Sequence, residues 1–191
     1  STAVAIPKAR EAQLNDLAER ASTAAKVFRS YSQTQVDRIA RAMVLAGMSH
    51  AKRLAELAVR ETTIGLVEDK VLKNLVACEF VWDAIKDKKT VGIIREDPEH
   101  SLAEAAEPIG LILSMTPITN PTSTVIFKCI VAAKTANTLI LSPHSKAWRC
   151  SNEAARIMYE AGIAEGAPAD FITWIDEPTR EDTFHLLKHP L

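Results

Sequence analysis

From Glu11 to about Asp87 apolar residues recur every three or four positions, the spacing that gives a helix one buried face. Leu14, Leu17, Ala18 and Ala21 form the first such stripe. Ser32, followed three places later by Gln35, has the chemistry of a capping box and predicts a second helix carrying Val36, Ile39, Ala40, Met43 and Ala46. Past Gly47 the pattern continues through Ala51, Leu54, Leu57 and Ala58. Past Gly65 it resumes at Val67, Val71, Leu75, Cys78 and either Val81 or Trp82. The front of the chain therefore reads as an array of helices.

Between Thr90 and Glu107 the period changes. Val91-Gly92-Ile93-Ile94 is β-like, Glu96-Asp97-Pro98-Glu99 has turn composition, and Ser101 to Ala106 predicts a returning strand, so the segment reads as a hairpin. After Pro108 the order becomes strand, helix, strand, helix, strand, as in a parallel sheet covered by crossover helices. Ile109 to Met115 is a continuous apolar run, as expected of a strand buried on both faces. A helix over Asn120 to Lys134, a strand over Thr138 to Leu141, a helix over Lys146 to Ala161 and a strand over Phe171 to Ile175 follow. Pro178 to Lys188 predicts a last helix, with Glu181 and Asp182 suited to its positive end. The fold class is α/β.

Composition narrows the function. The chain has 191 residues, 47% of them hydrophobic, enough for a substantial core. Lys and Arg total 23 against 24 Asp and Glu, with no basic run and few aromatics, which argues against a nucleic-acid partner. No apolar stretch reaches the ~20 residues of a membrane helix, and the amino terminus lacks the pattern of a secretory signal. A cytoplasmic protein without a membrane partner is expected. Cys78, Cys129 and Cys150 are widely spaced, with no Cys-x-x-Cys pair, and are expected as reduced thiols.

The most informative stretch is Thr116-Pro117-Ile118-Thr119-Asn120-Pro121-Thr122-Ser123-Thr124, a polar loop between a buried strand and a helix. Ligands of open α/β sheets bind at such strand ends. Free helix amides, hydroxyls and the Asn120 amide make a neutral, donor-rich surface suited to a phosphate or an oxyanion, although an ordinary βα turn has the same composition. The Gly-x-Gly-x-x-Gly fingerprint of the standard dinucleotide fold is absent.

Three stretches carry a resemblance. Glu107-Pro108-Ile109-Gly110, Thr116 to Thr124, and Asn137-Thr138-Leu139-Ile140-Leu141-Ser142-Pro143-His144 resemble the cofactor domain of the aldehyde dehydrogenase superfamily, which binds NAD on a Rossmann variant without that fingerprint. The sequence is most similar to the coenzyme A-acylating branch, in particular to the aldehyde dehydrogenase half of bifunctional aldehyde-alcohol dehydrogenases. Gly65 to Val71 and Ala167 to Asp176 support the match, which runs from about Leu14 onward. The resemblance implies three parts: an N-terminal helical portion over 1–88, a hairpin of the oligomerisation element over 89–107, and the β-α-β-α-β-α opening of a Rossmann-like NAD-binding sheet over 108–191.

It also implies roles. Asn120 matches the asparagine whose amide stabilises the oxyanion formed when a cysteine thiolate adds to the aldehyde. Ile118 and Thr119 match positions on the nicotinamide side of the cleft, and Ser142, Pro143 and His144 match positions on the adenosine side. Hydrolytic members carry a lysine where Ser142 stands, a departure that fits the acylating branch. The implied reaction oxidises a short aldehyde to its acyl-CoA, reversibly, with NAD as cofactor and coenzyme A as co-substrate, in a homo-oligomer. The nucleophilic cysteine is expected beyond Leu191, so the 191 residues alone are expected to be inactive. Cys78 and Cys129 sit in apolar stripes and read as buried thiols, whereas Cys150 is expected to be the more exposed.

His185 and His189 are spaced for one helix face, but Leu186 stands where a His-Glu-x-x-His motif needs its glutamate, so no metal site is expected. Two alternatives stand beside the acylating enzyme. One is a glutamyl-phosphate reductase type, against which the Thr119 to Thr124 loop argues. The other is a non-catalytic assembly module that pairs through an open sheet edge.

Overall fold

A computed structural model describes residues 6–190. Helices α1 (Lys8–Phe28), α2 (Gln33–Ser49), α3 (Ala51–Thr62), α4 (Val67–Leu75) and α5 (Val81–Ile85) come first, with a π-helical turn, Val76–Phe80, joining the last two. Strands β1 (Gly92–Asp97) and β2 (Leu102–Ala106) form the hairpin. Then follow β3 (Leu111–Thr116), α6 (Pro121–Lys134), β4 (Thr138–Pro143), α7 (Trp148–Ala164), β5 (Ile172–Trp174) and α8 (Arg180–Leu187).

The helical array differs from the pattern in two places. Gly47 does not end α2; it lies inside it, where an added Cβ would stand 2.6 Å from the Cys78 sulfur, so the glycine permits close packing. The π turn inserts an extra residue and rotates the apolar stripe, which explains why Val81 and Trp82 compete for one position in the pattern. The Ser32 capping box forms as expected: the Ser32 side chain accepts from the Gln35 amide and the Gln35 side chain accepts from the Ser32 amide. The turn into α4 uses left-handed backbone at Thr63 and Gly65.

The hairpin is antiparallel, with a register shift between Ile93 and Arg95. Glu96 and Asp97 belong to its first strand rather than to the turn, which spans 98–101 and is pinned by the His100 amide donating to Asp97 Oδ1 at 3.2 Å. Its residues are almost all exposed, Ile93 and Leu102 included.

The second sheet is parallel, in the order β3-β4-β5. Every residue of central β4 is buried, and alternate residues serve opposite faces. Leu139 and Leu141 join Ile126, Ile130, Met158 and Phe28 in the large core beneath α2, α6 and α7. Ile140 turns the other way, to Leu14, Ala18 and Ala21 of α1 and Leu186 of α8. Phe171 locks the large core: it meets Phe28 edge-on at 5.9 Å and Tyr159 at 5.8 Å, while Gly162 leaves room for its ring. Along the free edge of β3 runs a groove of about 600 Å³, bordered by Ile109, Ile112, Phe127 and Val131.

Candidate functional site

Strands β3 and β4 end side by side, Thr116 paired with Pro143, so the loops that follow them share one end of the sheet. The first loop leads into α6 at Pro121, a residue suited to a first helical position because the missing N–H has no intrahelical role there. Asn120 occupies the cap position, yet its side chain makes no cap hydrogen bond. Its Oδ1 instead accepts from Lys73 Nζ at 3.1 Å. Lys70 Nζ donates to the Thr119 carbonyl at 2.9 Å. Thr122 Oγ1 donates to Asn74 Oδ1 at 2.8 Å, and Asn74 Nδ2 donates onward to the Ala51 carbonyl at 2.9 Å.

These contacts correct two expectations. The loop is not neutral, because two lysines from α4 stand against it. The buried positions of α4 are also not its apolar stripe but Lys70, 4% exposed, and Asn74, fully buried. Burial holds the Lys70 ammonium below its ordinary pKa, and neighbouring Lys73 adds to the effect. Sequence reasoning passed over Lys70, Lys73 and Asn74; their i, i+3, i+4 spacing was the available signal.

Around the second strand end lies a cleft of about 300 Å³, at the small end of the range for ligand pockets. Thr116, Ser142, Pro143, His144, Arg180 and Thr183 are among its lining residues. The Ser142 hydroxyl shares a hydrogen bond with Thr183 Oγ1 at 2.7 Å. Exposed His144 turns its Nδ1 back to accept from the Lys146 amide at 3.1 Å. The Thr116 hydroxyl is buried without a hydrogen-bond partner, a state that a bound polar ligand would relieve. Ile118 sits elsewhere, packed half-buried against Ala58, Ala147 and Cys150, and Thr119 is exposed.

Helix α8 closes the cleft, and α1 holds α8 in place. Arg10 grips Asp182 through Nε at 3.2 Å and Nη2 at 2.9 Å, while the Asp182 carboxylate accepts from the Thr179 amide at 2.9 Å. Burial alone would raise the Asp182 pKa. The Arg10 hydrogen bond and the Thr179 amide outweigh it and leave the carboxyl below its ordinary value.

The three thiols are all buried. Burial pushes Cys78 up to about 12 and raises Cys129 and Cys150 as well, with the Glu61 carboxylate adding to the effect at Cys150. Cys150 is 1% exposed rather than the more accessible thiol, because Glu61 of α3 accepts the Arg149 and Cys150 amides at 3.0 and 2.7 Å and draws the first turn of α7 inward. His185 hydrogen-bonds Asn15 Oδ1 at 2.7 Å, and His189 lies beyond the end of α8.

Comparison with known proteins adds the context for this geometry. The profile of the aldehyde dehydrogenase family matches residues 1–191. The chain is 47% identical over 179 residues to the bifunctional aldehyde-alcohol dehydrogenase of Escherichia coli K12, covering 94% of this chain and 20% of that protein. An acetylating aldehyde dehydrogenase from Geobacillus thermoglucosidasius superposes with a TM-score of 0.92 at 45% identity, over 95% of this chain and 40% of its own. Two solved relatives hold ligands: a propionaldehyde dehydrogenase of Rhodopseudomonas palustris with bound CoA and an acylated cysteine, and an engineered glycolyl-CoA reductase with bound NADP+. Each is 27% identical with a TM-score of 0.75, covering 93% of this chain and 40% of its own. The chain thus spans about a fifth of the curated relative and two fifths of the solved ones.

Proposed function

The chain belongs to the aldehyde dehydrogenase family, and on that premise we propose that it is the nicotinamide-binding part of a coenzyme A-acylating enzyme that converts a short aldehyde to its acyl-CoA, reversibly. The observation that carries this reading is the cleft at the carboxyl ends of β3 and β4, where parallel sheets receive dinucleotides.

Its residues fit such a guest. Thr116 offers an unpartnered hydroxyl, Ser142, Pro143 and His144 line the adenosine side, and Arg180 supplies positive charge for a pyrophosphate. Ile118 and Thr119 lead from the cleft to Asn120 on the nicotinamide side. Ser142 is engaged with Thr183, which supports a ribose contact different from the lysine of the hydrolytic enzymes. When bound in this cleft, NAD would supply the hydride acceptor and coenzyme A, as co-substrate, the acceptor for the acyl group.

Asn120 donates through Nδ2 to the aldehyde oxygen as it gains charge on thiolate attack. Its Oδ1 is already committed to Lys73, which leaves the nitrogen end for that task. None of the three buried thiols is suited to the attack, since each is held in the neutral form by burial. The reading therefore assigns the nucleophile to residues outside these 191.

Replacing Asn120 by alanine in the intact acylating enzyme tests the assignment. Loss of one oxyanion donor lowers kcat by about 100- to 1000-fold with little change in KM for NAD. A decrease smaller than about threefold would sink it.

A further inference from the structure

We propose that the face of α4 carrying Lys70, Lys73 and Asn74 is a positioning clamp that fixes the Asn120 carboxamide with its nitrogen turned away from α4. The functional use of that orientation rests on the oxyanion reading above; the orientation itself does not.

Three side chains within about one turn of α4 hold three nearby points of the loop and the first turn of α6. Lys70 takes the Thr119 carbonyl, Lys73 takes Asn120 Oδ1, and Asn74 takes the Thr122 hydroxyl. Asn74 is in turn fixed to the Ala51 carbonyl, which ties the clamp to α3. A carboxamide has one acceptor end and one donor end. With an ammonium on Oδ1, the flipped rotamer would set the Asn120 NH2 against Lys73 Nζ, donor against donor, so the amide is held in one sense. The cation also withdraws electron density from the amide and makes Nδ2 a stronger donor.

Stability alone does not account for the choice of residues. Burying the Lys70 ammonium is unfavourable, and a methionine would fill similar space without desolvating a charge. Both lysines also stand at the amino-terminal, positive end of α6, where a helix favours anions. Like charge gathered at that end serves an arriving negative charge better than it serves the resting fold.

The side-chain amide of Asn120 reports the clamp directly in the ¹⁵N-labelled chain, where its resonances are identified by their loss in Asn120→Asp. A cation on Oδ1 increases the double-bond character of the carboxamide C–N bond and slows rotation about it. Lys73→Met is expected to speed that rotation roughly threefold and to shift the Nδ2 resonance. Lys73→Arg, which keeps a cationic donor, is expected to restore both towards wild type, and the urea midpoint is expected to be the same in all three proteins. An Asn120 signal that Lys73→Met leaves unmoved, or that moves equally in the arginine variant, overturns the clamp. Turnover separates the two ideas: a silent Asn120→Ala change in the intact enzyme removes the oxyanion reading, while the amide resonances still decide the clamp.

Discussion

Replacing Asp182 by alanine removes the tie that brings α8 to the cleft. The Asp182 carboxylate is 1% exposed and has two tasks: it pairs with both Nε and Nη2 of Arg10, and it completes a capping box with Thr179. Loss of the capping box costs about 1 kcal/mol. Loss of the charge-assisted pair costs about 2 kcal/mol once the 28% exposure of the Arg10 side chain is allowed for. The sum of about 3 kcal/mol lowers the melting temperature of a chain of this length by roughly 6–12 °C. Because the folded Asp182 pKa lies below its ordinary value of 3.8, this stability is fully present above that value and is lost as pH falls through the folded pKa. Urea titrations of wild type and Asp182→Ala should therefore differ most near pH 7, and the difference should shrink only as the pH falls below 3.8. A difference below about 1 kcal/mol at neutral pH, or one that persists unchanged in acid, would refute the reasoning.

Gly162→Ala places a Cβ 2.3 Å from Phe171 Cζ and is expected to cost about 1–3 kcal/mol, read as a lower urea midpoint at unchanged slope. All three thiols should resist a disulfide reagent in the folded protein and react only as urea unfolds it; for Cys78, with a pKa of about 12, the thiolate fraction at pH 8 is roughly one in ten thousand. A thiol that reacts rapidly at zero urea would contradict the burial argument.

Much of the architecture was legible because burial leaves a periodic mark. The apolar run before Thr116 announced a strand, although β3 lies at the edge of the sheet, largely half-buried with Met115 exposed, and it is β4 that is covered on both faces. Ser32 with Gln35 announced where α2 begins. The missed features are those in which tertiary contact overrides local pattern. Nothing local shows why Gly47 stands inside α2 until Cys78 is seen against it. Lys70 and Asn74 read as the solvent face of α4 because nothing local reveals that the Thr119–Thr122 loop lies over them. Asn120 stood out from its loop and from the family resemblance, but the lysines that orient it lie some 47 residues away in the chain. Thr183 and Arg180 joined the cleft only through the long-range grip of Arg10 on Asp182.

The account turns on where the dinucleotide sits, and a titration of the ¹⁵N-labelled chain with NAD locates it. Shifts that saturate together and cluster at Thr116 to Asn120, Ser142 to Ser145 and Thr179 to Thr183 are the predicted result. Absence of any saturable shift at millimolar NAD, or shifts gathered along the β3 edge groove beside Ile112 and Phe127 with the cleft unmoved, would contradict it.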